Sequence, residues 1–205
     1  MLTVVIQAGG RSTRLWRDKG LIPLGGKPMI EHVIRRVEGL GDELMITTPR
    51  PQAYDRYTAR LVSDPELHAG PLVGLQTALQ AASYQTVLVL ACDMPFVERR
   101  LLEHMLSVAP QADAVVPQHN GWYEPLQAVY SRSCLPAIEK AIASGEKRVV
   151  SFFPGVRVLT VGPPILDQLD PRGLSFFNVN TQDDLVRAES LLASESSATD
   201  SPSEE

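Results

Sequence analysis

Leu2 to Ile6 is a short apolar, β-branched run suited to a strand buried on both faces, and it stops at Ala8-Gly9-Gly10. After a polar loop from Arg11 to Gly20, Ile30, Val33, Ile34 and Val37 recur at helical spacing. Pro28 stands at the helix start and Gly39 and Gly41 at its end. Leu44-Met45-Ile46 and Leu61-Val62 predict two more strands, the second closed by Ser63-Asp64-Pro65. Gly70-Pro71 opens a helix with Leu72, Leu75, Ala78 and Leu79 on one face. Thr86 to Ala91 is the strongest strand and runs into Cys92-Asp93-Met94-Pro95. A helix over about Glu98 to Ser107 follows, then strands at Ala114 to Val116 and Leu126 to Tyr130 around a loop, His119 to Glu124. Leu135 to Ala143 reads as a helix and Val156 to Val161 as a strand. Thr181 to Leu192 is a closing helix with Thr181 as N-cap and Asp183-Asp184 in its first turn.

Strands alternating with helices predict an α/β domain: a Rossmann-like three-layer sandwich with a mostly parallel central sheet and helices on both faces. Ligands of such sheets bind beyond the carboxyl ends of the strands. That rule gathers the Gly9-Gly10 loop, Thr47, Asp64 and Asp93 on one rim. No internal repeat interrupts the pattern, so residues 1–193 are expected to form one domain. Residues 194–205 form a Ser/Glu-rich tail, expected to be disordered for want of a hydrophobic anchor after Leu192.

Charge and composition narrow the function. The 205 residues are 44% hydrophobic and carry a net charge of −5. Four acids of the tail (Glu195, Asp200, Glu204, Glu205) supply −4 of it, leaving a body near −1. Such a body lacks the basic excess of a general nucleic-acid binder. Two cysteines, Cys92 and Cys134, make no CxxC and no disulfide framework, in keeping with a reducing compartment. No apolar run approaches the ~18 residues of a membrane span. The N-terminus lacks the basic region of a signal peptide, so the expected location is the cytoplasm.

Four segments carry candidate chemistry. Gln7-Ala8-Gly9-Gly10, just after a buried strand, lets backbone N–H groups turn toward a phosphate, and Arg11, Arg14, Arg17 and Lys19 add charge to the same loop. Its pattern is neither GxGxxG nor Walker A, which removes support from dehydrogenase and P-loop readings. Asp93, at a strand end, can hold Mg²⁺ through one or two oxygens while phosphate and water fill the remaining positions. A turn or helix-capping aspartate is the plainer alternative. Asn178-Val179-Asn180-Thr181 puts two amides on one face of an extended segment, although these residues also favour turns. Gly145-Glu146-Lys147-Arg148 is a basic turn that could equally cap a helix. The four histidines show no metal-ligand spacing, and no GxSxG or Cys–His pattern supports nucleophilic hydrolysis.

In combination the chain resembles the molybdenum cofactor guanylyltransferases of the MobA type, within the nucleotidyltransferase superfamily. The resemblance spans residues 1 to about 193. It rests on six segments in order: Ala8-Gly9-Gly10-Arg11-Ser12-Thr13-Arg14 with Asp18-Lys19-Gly20 and Gly26-Lys27-Pro28; Gly70-Pro71-Leu72-Val73-Gly74; Cys92-Asp93-Met94-Pro95; Glu124-Pro125-Leu126 with Ala128 and Tyr130; Gly145 to Val149; and Phe177 to Thr181. The resemblance implies transfer of GMP from GTP to the terminal phosphate of a molybdopterin-type cofactor, with release of pyrophosphate. It implies backbone contacts to the nucleotide from Gln7, Ala8, Gly9 and Gly10, phosphate binding by Lys19, nucleoside contacts by Thr47 and Asp64, and Mg²⁺ on Asp93. Lys19, Asp93 and Arg14 would be the catalytic set, and Arg148, Asn178 and Asn180 would serve the phosphates or the pterin. The partners implied are GTP and the cofactor, with molybdoenzymes or cofactor-handling proteins downstream, and neither nucleic acid nor membrane. Three positions depart from the family pattern: Gln7 stands where an apolar residue is common, Trp16 where glycine is usual, and Thr47 where an asparagine is known. A cytidylyltransferase for the same cofactor, another sugar- or alcohol-phosphate nucleotidyltransferase, and a nucleotide-binding regulator or carrier without turnover are the competing readings. The intact Gly70 to Gly74 segment favours GTP over CTP.

Overall fold

The computed structural model describes residues 1–9, 18–64 and 70–199, the last four of these by backbone alone. In chain order its elements are β1 (Leu2–Gln7), β2 (Pro23–Leu24), β3 (Lys27–Pro28), α1 (Met29–Val37), β4 (Glu43–Thr48), β5 (Arg60–Ser63), α2 (Pro71–Ala81), β6 (Thr86–Ala91) and α3 (Arg99–Val108). Then come β7 (Ala114–His119), β8 (Trp122–Tyr123), β9 (Gln127–Ser131), α4 (Leu135–Ala143), β10 (Val158–Val161), α5 (Pro163–Leu169) and α6 (Gln182–Thr199). Every strand and helix expected from periodicity is present.

One sheet runs in the order β10-β7-β9-β6-β1-β4-β5, with β8 hydrogen-bonded to β7. Neighbours pair in parallel except β9, which runs against both β6 and β7, and β8, which runs against β7. The reversal follows from loop length. Between β7 and β9 there is room for a tight turn through Asn120 and Gly121, both with positive φ, and none for a crossover helix. The sheet is thus mostly parallel, as its sequence pattern predicts.

Alternate strand residues face opposite layers. Val4, Ile6, Ile46, Leu88 and Leu90 pack toward Ile30 and Val33 of α1, Leu101 and Met105 of α3 and Leu166 of α5. Val5, Met45, Val87 and Val89 pack toward Leu72, Leu75 and Leu79 of α2 and Ile138 of α4. Fully burying each of these side chains contributes about 1.5–3 kcal/mol, which is why the strands read as continuous apolar runs.

A third, smaller core joins the two ends of the chain: Ile22, Leu24, Met29, Phe96, Val179 and Ala188. α6 closes over it. Thr181 caps α6 as expected: its hydroxyl accepts from Asp184 N at 3.1 Å, and Asp184 Oδ2 accepts from Thr181 N at 2.8 Å. The helix runs past its expected end at Leu192, because α6 continues to Thr199. Glu195, beyond that expected end, forms ion pairs with Arg36 at 2.9 Å and Arg172 at 2.5 Å. Anchorage comes from these cations, a signal that a search for hydrophobic residues misses. Among the described residues no helix is long and apolar enough to cross a membrane.

Candidate active site

β1 lies between β4 and β6, and the connections leaving its two sides run in opposite directions. A crevice opens where such strands diverge, at their carboxyl ends. Here it is a cavity of about 330 Å³ whose wall includes Gln7, Gly9, Lys19, Thr47, Asp64 and Asp93. These residues are separated by up to 86 positions in the chain and come from β1, β4, the ends of β5 and β6, and the turn after the N-terminal loop. The backbone stitches them together. Ala8 N donates to Thr47 O at 2.8 Å, Cys92 N to Gln7 O at 3.1 Å and Asp64 N to Thr48 O at 3.0 Å.

Lys19 is the hub. Its ammonium donates to Asp93 Oδ2 at 2.8 Å and also to Asn180 Oδ1. The pair is largely buried, with side-chain exposures of 15% and 14%, so water screens it weakly. Asn180 arrives there because Val179, fully buried in the third core, donates its N–H to Asp93 O at 2.9 Å. Alternation then turns its neighbours away from that core. Asn178 bonds locally, donating to Phe176 O at 3.3 Å.

Sequence reasoning left two groups unassigned, Tyr54 and Arg50. Asp18, immediately before Lys19, is buried and accepts from Tyr54 Oη at 2.6 Å and from Arg50 Nη2 at 2.9 Å. Gly20, immediately after Lys19, lies against the same tyrosine: a Cβ there would sit 2.6 Å from Tyr54 Oη. Tyr54 therefore fixes the backbone on both sides of Lys19. Burial first, and then the bond to Asp18, keep its phenol protonated far into alkaline pH. A lone tyrosine in an aperiodic segment gives no sequence signal of such a role.

The basic turn also finds a place. Lys147 O accepts from Leu72 N at 3.3 Å, and Gly70, with φ +93°, packs on Lys147. Any side chain at Gly70 would be both strained and crowded. Arg148 follows Lys147 and is exposed beside the α2 end of the crevice, without forming part of the cavity wall. Gly10 and Arg14, expected to bind nucleotide and to act in catalysis, lie outside the described residues, as does Trp16.

What can this wall do? Cys92 lines it, but burial, reinforced by the Asp93 and Asp18 carboxylates, pushes its thiol well up, so it stays neutral and a poor nucleophile. Among the described residues no group of three or more His, Cys, Asp or Glu side chains could cage a metal. A single carboxylate such as that of Asp93 has donor chemistry suited to a magnesium ion. Lys19 engages one of its two oxygens, and Mg²⁺ is commonly held by one or two carboxylates together with substrate phosphate and water. A largely buried cation and a strand-end carboxylate in one cavity wall suit a polyphosphate ligand.

Comparison with known proteins agrees. The MobA-like NTP transferase domain family matches residues 4–158. A probable molybdenum cofactor guanylyltransferase of Pelotomaculum thermopropionicum is 38% identical over 186 residues, 91% of each chain. A molybdenum cofactor guanylyltransferase of Pseudomonas putida is 42% identical over 149 residues, 71% of this chain and 78% of its own. Among solved structures, molybdopterin-guanine dinucleotide biosynthesis protein A of Archaeoglobus fulgidus superposes with a TM-score of 0.81 at 29% identity, covering 94% of this chain and 99% of its own.

Proposed function

The chain belongs to the family of MobA-like NTP transferase domains, and on that premise we propose that it transfers GMP from GTP to a molybdopterin-type cofactor in the cytoplasm. The observation that carries this reading is the pair Lys19 and Asp93 in the wall of the cavity at the carboxyl end of β1, with Asn180 holding the same ammonium from outside that wall.

In the reaction an oxygen of the acceptor's phosphate forms a bond to the α-phosphorus of GTP. The bond from that phosphorus to the β-phosphate oxygen breaks, and pyrophosphate leaves with the electron pair. The attacking group is already anionic, so no strong base is required. The obstacle is repulsion between two anions, and fixed charge and positioning overcome it. Lys19 supplies a positive charge whose direction is set from three sides, by Asp93, by Asn180 and by the Asp18–Tyr54 anchor. Thr47 and Asp64 hold the nucleoside end, and Gly9 leaves room for close approach of the chain to the nucleotide. Asn178, Asn180 and Arg148 would serve the phosphates or the acceptor. Asp93 would hold magnesium, which when bound neutralises triphosphate charge.

The test is pyrophosphate release from GTP in the presence of molybdopterin and magnesium, with and without chelator. Asp93→Asn keeps the shape of the side chain and removes its charge. It should lose at least ~100-fold in kcat, the scale of removing one electrostatic stabiliser. Near-normal, chelator-resistant turnover in that variant would remove both the metal and its ligand from the mechanism.

A further inference from the structure

The segment Glu124-Pro125-Leu126 has no task in the reaction as described, yet its place in the fold is well defined. Leu126 lines the crevice, and its carbonyl accepts from Ala91 N at 2.8 Å, two residues before Asp93. Glu124 N donates to Pro117 O at 2.9 Å, so the β7–β8 ladder, which pairs His119 with Trp122, continues through Glu124. Alternation then sorts the side chains. Ala114 and Val116 face α2 and α4, whereas Val115, and Val161 opposite Pro117, face the layer of α1, α3 and α5. Pro117, His119, Glu124 and Trp122 therefore share that second face, and so does Gln127, paired with Leu90. Trp122 is 78% exposed. The half-buried Glu124 carboxylate makes neither ion pair nor hydrogen bond among the described residues, and burial raises its pKa above the ordinary value. Gln127 is fully buried, and neither its amide nitrogen nor its amide oxygen has a partner among the described residues. Buried polar groups are rarely left unpaired without a use.

Position along the rim decides what this face can serve. From β5 to β9 the strand order sets Asp64, Thr47, Gln7, Asp93 and Leu126 in succession. With the nucleoside at Thr47 and Asp64 and the phosphates at Lys19 and Asp93, the second ring system of a dinucleotide product falls beyond β6, toward β9 and β7. One strip of chain links the two places. Asn180 holds Lys19, and Phe176, four residues earlier, stacks on His119 with ring centroids 4.8 Å apart. Four residues span at most about 14 Å, the reach of a ring joined to a phosphate by a short linker. A pterin carries two adjacent donors, N3–H and the 2-amino group, on the edge of a flat ring. A carboxylate accepts both at once, and an indole offers a face for stacking. Alternate residues of a strand lie about 6.5 Å apart, so one ring can cover Trp122 and turn its edge to Glu124. From this we propose that Trp122 and Glu124 select the acceptor: the indole stacks on the pterin, and the carboxylate accepts from N3–H and the 2-amino group. The proposal rests on the reading above, which supplies a pterin acceptor, and it adds recognition of the ring itself to the roles of Arg148, Asn178 and Asn180. Guanine carries a similar pair of donors, but its contacts lie on the other side of Asp93, at β4 and β5.

The experiment is anaerobic equilibrium titration of the full chain with molybdopterin and, separately, with GTP and magnesium, for wild type, Glu124→Gln and Trp122→Ala. Glu124→Gln keeps the shape of the side chain and removes one of the two acceptors. Each variant should bind molybdopterin about tenfold or more weakly, the scale of one bidentate pair or one stacked ring. GTP affinity should hold in both, which shows that the crevice is folded. Molybdopterin should also quench the indole emission of wild type, and that quench should be lost in Trp122→Ala. Variants that keep the wild-type affinity for molybdopterin overturn the proposal alone. Weakened GTP binding with molybdopterin binding intact overturns it too, because the pair would then read the nucleobase. A wild type without affinity for GTP or for molybdopterin overturns the parent reading as well.

Discussion

Replacing Tyr54 by phenylalanine deletes one oxygen from the interior and tests how Lys19 is held. That oxygen is fully buried and donates to Asp18 Oδ1 at 2.6 Å. Asp18 is 7% exposed, and its other oxygen is paired with half-exposed Arg50. After the substitution a buried anionic oxygen lacks its donor. Hydrogen bonds to charged groups contribute roughly 1.5–3 kcal/mol, and the ring packing is retained, so the expected loss is about 2 kcal/mol. That is roughly thirtyfold in the folding constant, or ~4–8 °C in Tm for a domain of this size. Urea unfolding should show a lower midpoint with an unchanged slope. Turnover should fall as well, because Asp18 directly precedes Lys19. A double substitution sharpens the argument. Gly20→Ala alone sets a methyl carbon 2.6 Å from the Tyr54 oxygen, whereas the nearest ring carbons lie at 3.4 Å. The alanine should therefore cost less in the Tyr54→Phe background than in wild type. Strict additivity, or a loss below about 0.5 kcal/mol for Tyr54→Phe alone, would refute this account of the anchor.

Two further expectations concern stability. Burial raises the Glu43 carboxyl, but bonds from Thr3, from the Ser83 backbone and hydroxyl, and from Arg60 outweigh it and bring its pKa down to about 2 from an ordinary 4.5. A depressed folded-state pKa stabilises fully above 4.5, and that contribution disappears as pH falls toward 2. Glu43→Gln should flatten the decline of stability across that window in urea melts at stepped pH, and an unaltered slope would count against the role. Glu195→Ala should cost about 0.5–1 kcal/mol at low salt and less at high salt, since its pairs with Arg36 and Arg172 are partly exposed. No change at low salt would show that these pairs do not seat the end of α6.

The sequence carried the layers of the fold and the rim of the site because both follow from local rules. Apolar runs such as Thr86 to Ala91 mark buried strands, and strand ends in an α/β sheet face the ligand. Lys19, Thr47, Asp64 and Asp93 meet at one cavity for that reason. The tertiary devices were not legible. Nothing local joins Tyr54 to Asp18, 36 residues away, or marks the Gln127 amide as a buried donor. α5, a helix of seven residues opening on two prolines, has too little periodicity to stand out. The end of α6 was misjudged because its anchors are charges on α1 and on the segment before α6.

The bond between Lys19 and Asn180 joins groups 161 residues apart. A chain emerging from the ribosome can pair β1, β4, β5 and β6 long before Val179 exists to dock on the Asp93 carbonyl. Contacts that span most of the chain carry a high closure entropy and form late. Competence for transfer is thus the last property the molecule acquires as it folds, and a product cut short before Val179 would hold a sheet and a crevice without the amide that holds Lys19.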